Sequence, residues 1–129
     1  VCRSRIRPYI GLRCLMPRSL DLLQGTLALL ILKALTWGAA HGYAIARWIE
    51  QLTGEVLRVG EGSLYPALHR LEERAWVAAT WELSDTTGRR TRVYRLTSKG
   101  RAQLKAESGS WKEFVAAVGK VLDASEQPA

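Results

Sequence analysis

Two groups of residues in this chain are of the right types, at the right spacing, to hold a polyanion. The first lies between Asp85 and Glu107, where Arg89, Arg90, Arg92, Arg95, Lys99, Arg101 and Lys105 form a run of seven basic residues with no acid. A run of this kind is either a solvated face or a phosphate-binding strip, and each phosphate neutralised steepens the salt dependence of binding. The second lies on one predicted helix, residues 63–75. At about 100° per residue, Leu64, Leu68, Leu71 and Ala75 make a single apolar stripe. The opposite face carries Pro66, His69, Arg70 and Glu73, with Tyr65 and Ser63 on its flanks. A helix anchored on one side and short and polar on the other has the width of the DNA major groove. Tyr65 can donate to phosphate or stack on a sugar. His69 points to groove or solvent, and Arg70 reads guanine, touches phosphate, or pairs with Glu73 or Glu50.

Other chemistry finds little material. Cys2 and Cys14 are the only cysteines, and His41 and His69 the only histidines. No Cys/His metal site is available from them, and no disulfide framework exists, which points to an intracellular, cytoplasmic protein. There is no glycine-rich phosphate loop, no Gly-x-Ser-x-Gly turn and no acidic cluster on one face. An enzyme is not expected, nor a cofactor.

The elements that must position the two groups can be read from periodicity. The chain has 129 residues, 47% hydrophobic and 24% charged, enough for one domain with an appended helix. Its formal charge is +7, or +3 without the four arginines of residues 1–15. That segment, 1–15, is unlike the rest and is expected to be a non-native or disordered basic extension, with Met16 as the native start. A DNA-binding basic arm is its rival. Residues 20–37 are apolar nearly all round. The longest uncharged stretch, Leu22 to Leu32, is 11 residues, and a bilayer needs about 20, so a buried helix is expected and no membrane span. Ala39–Gly42 read as a break. Residues 43–53 form a helix through Ile45, Ile49 and Leu52, stopped by Gly54, and Val56, Leu57 and Val59 are an apolar connector. For the third helix Ser63 is the expected N-cap, which puts Pro66 in the first turn. Val77 to Leu83 and Thr91 to Leu96 read as a hairpin, with turn chemistry at Ser84–Gly88. Thr97 caps a last helix in which Leu104, Trp111 and Val118 recur every seven residues, widened by Phe114, Val115, Val121 and Leu122 into a coiled-coil-like seam. Trp37 and Trp76 are expected in the core, and Trp48 and Trp81 have no assignment from pattern alone.

The order helix, helix, helix, hairpin, helix is that of an α+β, mainly α, winged helix-turn-helix protein with a C-terminal dimerisation helix. The expected division is 16–97 for the DNA-binding domain, 98–124 for the helix and 125–129 for a free tail. At this point the sequence resembles the PadR family of transcriptional regulators. The likeness is carried by LLQGTLALLILKAL at 22–35, HGYAIARWIE at 41–50, GSLYPALHRLEERAWV at 62–77 and YRLTSKGRAQL at 94–104. It covers Leu20 to Leu104 and looks like the smaller subfamily with one short C-terminal helix, in wording similar to an acidobacterial group.

The resemblance implies a homodimer that binds an inverted-repeat operator in double-stranded DNA near its own or a neighbouring gene, commonly as a repressor. It implies DNA contacts at Ser63, Tyr65 and Pro66 and at Gly42-Tyr43, and wing contacts at Arg89 and Arg90, with Arg92 in the same basic run. It also implies that Trp111 lines either the dimer seam or a pocket for a small planar aromatic effector. Two other readings remain: a winged-helix adaptor that binds protein, and a ligand-binding protein with weak DNA affinity.

Overall fold

A computed structural model describes residues 26–127. The basic extension 1–15, Met16, both cysteines, residues 20–25 of the apolar segment and the last two residues of the sequence lie outside the described residues. Among the described residues no helix is long and apolar enough to cross a membrane.

The first helix, α1 over 26–34, runs into a 3-10 turn at Leu35–Trp37. Leu27, Ile31, Leu32 and Leu35 are all buried, the i, i+4, i+5, i+8 stripe of a helix lying on a core. Trp37 departs from expectation. It is 68% exposed, with its ring 5.2 Å from that of Trp48 and the Lys33 ammonium 4.9 Å from its centroid. Two residues past buried Leu35, Trp37 lies about 200–240° round the axis at either helical pitch, on the side away from the stripe that Leu35 ends.

The break expected at residues 39–42 contains a strand, β1 (Ala40–His41), followed at once by α2 (Gly42–Leu52). His41 is the N-cap, its Nδ1 accepting from the Ala44 N–H at 3.2 Å. Ile45, Ala46 and Ile49 are buried, but Leu52 is exposed. It is the helix's last residue, and the chain turns away there as Thr53 folds its hydroxyl back onto the Ile49 carbonyl at 2.9 Å. In the connector Val59 is buried and its N–H is held by the Glu50 carboxylate at 3.0 Å, whereas Val56 faces solvent.

The third helix, α3, spans Glu61–Glu73, two residues ahead of the expected frame. Gly60, not Ser63, is the N-cap, and its carbonyl accepts from Ser63 and Leu64 at 3.1 and 2.9 Å. Glu61 then places a carboxylate at the positive helix end. Pro66 therefore lies within the helix rather than in its first turn. Leu64, Ala67, Leu68 and Leu71 are buried. Ala75 is exposed and left-handed, with φ 62°. It is the residue at which the helix stops, with Trp76 N–H bonding to Leu71 O and Ala75 N–H to Glu72 O, both at 3.0 Å, a Schellman closure. Trp76, half-buried, packs against the core.

The hairpin strands are β2 (Val77–Leu83) and β3 (Arg90–Leu96), antiparallel, with Val77 opposite Leu96 and Leu83 opposite Arg90. β1 adds to the other side of β3, pairing Ala40 with Tyr94, so the sheet order is β1-β3-β2. Val77 and buried Tyr94 lie on the face turned to the helices.

The last helix, α4 (Ser98–Leu122), is 25 residues long. Thr97 caps it as expected, accepting from the Gly100 N–H at 3.0 Å. The Thr97 hydroxyl also donates to the carbonyls of Ala75 (2.7 Å) and Trp76 (3.0 Å), tying the start of α4 to the end of α3. Gly100 sits hard against that junction: a β-carbon there would meet the Trp76 carbonyl oxygen at 2.0 Å.

Candidate nucleic-acid interface

The outward face of α3 is the one its periodicity describes. Tyr65, Pro66, His69, Arg70 and Glu73 are exposed, and Ser63 is half-buried. Tyr65 has a double position. At 43% exposure it reaches solvent, yet its ring lies over the backbone of Gly42, where a β-carbon would stand 2.9 Å from the Tyr65 hydroxyl oxygen. A side chain at 42 would have to push the ring aside, so as they stand the pair docks the N-terminus of α2 onto α3. Tyr43, next along α2, is exposed and stacks on His41 at 6.4 Å. Gly42, Tyr43 and Tyr65 are thus brought together at the N-terminal end of α2, the positive end of the helix and the end suited to phosphate; Gly42 itself is buried and the Ala44 N–H is already taken by His41.

On the same α3 face His69 pairs with Glu73 at 3.3 Å, and Glu50 pairs with Arg47 at 3.7 Å. Both carboxylates named as alternative partners of Arg70 are engaged elsewhere. Among the described residues Arg70 makes no ion pair. It borders a small cleft of about 220 Å³ with Leu27, Gly62, Ser63 and Pro66.

The basic run on the hairpin divides. Arg92 was expected to face DNA with its neighbours; instead its guanidinium bonds the Glu72 carboxylate of α3 at 2.5 Å and is about a third exposed. It joins the wing to the helix. Arg95, on the opposite sheet face, bonds Glu82 at 3.0 Å. Arg89 and Arg90, at the hairpin tip, are exposed and form no ion pair among the described residues. The tip itself is ordered by Ser84, whose N–H donates to Arg89 O and whose carbonyl accepts from Gly88, both at 2.8 Å. Burial pushes the Tyr94 phenol up from its ordinary 10.0, against the opposing Arg92 charge, so this tyrosine stays neutral beside the Arg92–Glu72 pair.

The last helix carries the third candidate group. Leu104 packs on the domain's own core rather than on a separate seam. Trp111, Phe114, Val115, Val118 and Leu122 are exposed along α4, with Trp111 and Phe114 6.0 Å apart. A cleft of about 490 Å³ runs between α1 and α4, lined by Ala28, Leu29, Gln103, Glu107, Trp111 and Phe114 among others. Sequence reasoning missed Glu72 as the partner of Arg92, and missed the close approach at Gly100. The TSKG stretch held the only sequence signal for the latter, a glycine inside a helix one turn after its cap.

Several known proteins are similar to this chain. The profile of the transcriptional regulator PadR-like family matches residues 31–106. A transcriptional regulator of Mycobacterium tuberculosis is 38% identical over 77 residues, 59% of this chain and 70% of its own. A protein of Lysinibacillus sphaericus is 31% identical over 94 residues, covering 72% and 84%. A 37.1 kDa protein of a Streptomyces fradiae transposon is 44% identical over 82 residues, 64% of this chain, but the match spans only 22% of its length. Among solved structures, a PadR family transcriptional regulator from Eggerthella lenta superposes with a TM-score of 0.72 at 27% identity, covering 88% of this chain and 96% of that one. A PadR-like transcriptional regulator from Bacillus cereus gives 0.69 at 27%, covering 81% and 99%.

Proposed function

The chain belongs to the PadR-like family of transcriptional regulators, and from that premise we propose that it is a homodimeric, sequence-specific DNA-binding regulator that acts as a repressor at an inverted-repeat operator. The observation that carries this reading is the pairing pattern of its cations. Arg70 on α3 and Arg89 and Arg90 on the wing are exposed and without carboxylate partners among the described residues, while Arg92 and Arg95 are consumed by Glu72 and Glu82. Unneutralised arginines on a helix face and a neighbouring hairpin are what base and phosphate contacts require.

The exposed apolar stripe of α4 supports dimerisation. Trp111, Phe114, Val115, Val118 and Leu122 are apolar side chains open to solvent at helical spacing, and such a stripe is normally covered by another helix. A two-fold dimer repeats α3 and requires a pseudo-palindromic site with half-sites about one helical turn, or a multiple, apart. The α1–α4 cleft, with Trp111 and Phe114 on its wall, is the place for a small planar aromatic effector. Such a ligand would act by shifting the population between two dimer states.

Fluorescence anisotropy with DNA from upstream of the chain's own gene, against scrambled DNA over a salt series, tests the reading. Specific binding that weakens steeply with salt, and a footprint over an inverted repeat, is the expected result. Absence of binding to either DNA at low salt refutes it and brings the protein-binding adaptor forward. Quenching of tryptophan fluorescence by planar aromatic compounds, lost in Trp111→Ala, tests the effector.

A further inference from the structure

The sequence left Trp81 without a role, and its place in the wing supplies one. Trp81 lies on β2 directly opposite Arg92, on the hairpin face shared with Val77, Ala79 and Leu83. Near the base that face is core: Val77 is buried. Toward the tip it leaves the helices behind, and Trp81 is 54% exposed. Two guanidinium groups stand over its ring, that of Arg90 at 5.2 Å and that of Arg92 at 5.3 Å from the centroid. Arg92 in turn bonds Glu72 in the last turn of α3. A continuous series of contacts therefore runs from α3 to the hairpin tip: Glu72, Arg92, Trp81, Arg90.

The charges along that series are unequal. Glu72 neutralises Arg92, and Glu82 is taken by Arg95. Among the described residues nothing neutralises Arg90. The two arginines carry like charge, and the negative face of an indole attracts both. A guanidinium resting on an aromatic face also gives up much of its rotamer freedom before any ligand arrives, a cost otherwise met on binding.

We propose that Trp81 is a positioning residue for DNA binding: its indole holds the uncompensated Arg90 guanidinium at a fixed distance from α3, so that the wing arginine meets the DNA backbone or a narrow minor groove in register with the helix in the major groove. The proposal rests on the DNA-binding reading above. Arginine is the side chain that a narrowed minor groove attracts, and backbone contacts are what set the register of a protein on the duplex. The exposed Leu83, next along the same face, extends the apolar surface that such a contact would cover.

The test is a double-mutant cycle in the full chain, read by anisotropy on the upstream duplex and on a mixed-sequence duplex over a salt series. Arg90→Ala is expected to weaken binding and lower the log–log salt slope by about 0.9. Trp81→Leu is expected to weaken binding about two- to fivefold, the worth of one exposed cation–π contact. Trp81→Phe, which keeps a ring face, retains most of the affinity. Because Trp81 acts through Arg90, Trp81→Leu costs nothing further in the Arg90→Ala background. Effects that add in the double variant, or a Trp81→Leu protein that binds like the wild type, overturn the inference and leave the DNA-binding reading standing. A wild type that binds neither duplex overturns both. The stack is also read in the unaltered protein by NMR: the Arg90 side-chain protons are shifted upfield by the indole ring, and their appearance at ordinary positions refutes the proposal even if every Trp81 variant misfolds.

Discussion

The junction at Gly100 makes a prediction of sign as well as size. α4 contains three glycines beyond its cap, and two of them, Gly109 and Gly119, would place a β-carbon in open space. At Gly100 the same atom would meet the Trp76 carbonyl oxygen at 2.0 Å, its carbon at 2.8 Å and the Leu96 Cδ1 at 2.9 Å. The oxygen cannot step aside cheaply, because it accepts from the Thr97 N–H at 3.1 Å and from the Thr97 hydroxyl at 3.0 Å. Overpacking against fixed atoms costs about 1–3 kcal/mol, and each hydrogen bond disturbed adds about 1 kcal/mol. The gain in helix propensity from glycine to alanine returns about 1 kcal/mol. Gly100→Ala should therefore destabilise the protein by about 3 kcal/mol. Gly109→Ala, with the propensity gain and no clash, should stabilise it by about 0.5–1 kcal/mol. Urea unfolding followed by far-UV circular dichroism reads both as shifts in midpoint at constant slope. Protomer concentration is held fixed, since dimerisation would contribute to stability. A Gly100→Ala protein as stable as the wild type would show that α4 does not dock on the Trp76 carbonyl as described.

Other perturbations follow from the same contacts. Thr97→Val removes the α4 cap and both bonds to the end of α3 and should cost about 1–2 kcal/mol, measured by the same unfolding. Ala75→Gly relieves a left-handed alanine at φ 62° and should leave stability unchanged or raise it by up to about 1 kcal/mol; a loss larger than that refutes the Schellman closure. Val118→Glu puts a charge in the exposed α4 stripe and should shift the protein to monomer in sedimentation equilibrium with little loss of helix; a dimer of unchanged strength places the interface elsewhere. Arg70→Ala should weaken DNA binding without altering the melting temperature, and equal weakening on operator and scrambled duplex would assign it to phosphate rather than to a base.

Much of this fold could be read from the order of residues alone, and the reason is that the signals are local. A helix that buries one face repeats its leucines every three to four positions whatever it packs against, so the buried Leu64, Leu68 and Leu71 were visible, as was the polar face opposite them. The hairpin was legible because turn residues at 84–88 separate two segments of strand-forming residues, and β2 came out with the bounds expected. Thr97 was recognisable as a cap for the same reason. What pattern could not supply are the features that depend on which distant residue arrives. A strand of two residues, Ala40–His41, has no periodicity to detect; it exists because β3 offers it an edge. The frame of α3 was set by the carbonyl of Gly60 and by Glu61 at the helix end, and the side-chain cap expected at Ser63 went unused. Trp37 is of a residue type common in cores, but its place two residues past Leu35 turns it away from the buried stripe. Most consequential is the division of the basic run. In the sequence Arg89, Arg90, Arg92 and Arg95 are equivalent members of one charge cluster. Strand alternation sends Arg95 to one sheet face beside Glu82, and packing of the hairpin against α3 brings Glu72, twenty positions away, onto Arg92. The tertiary structure alone decides which arginines remain for a partner, because electrostatic pairing is set by distance in space, to which separation along the chain is no guide.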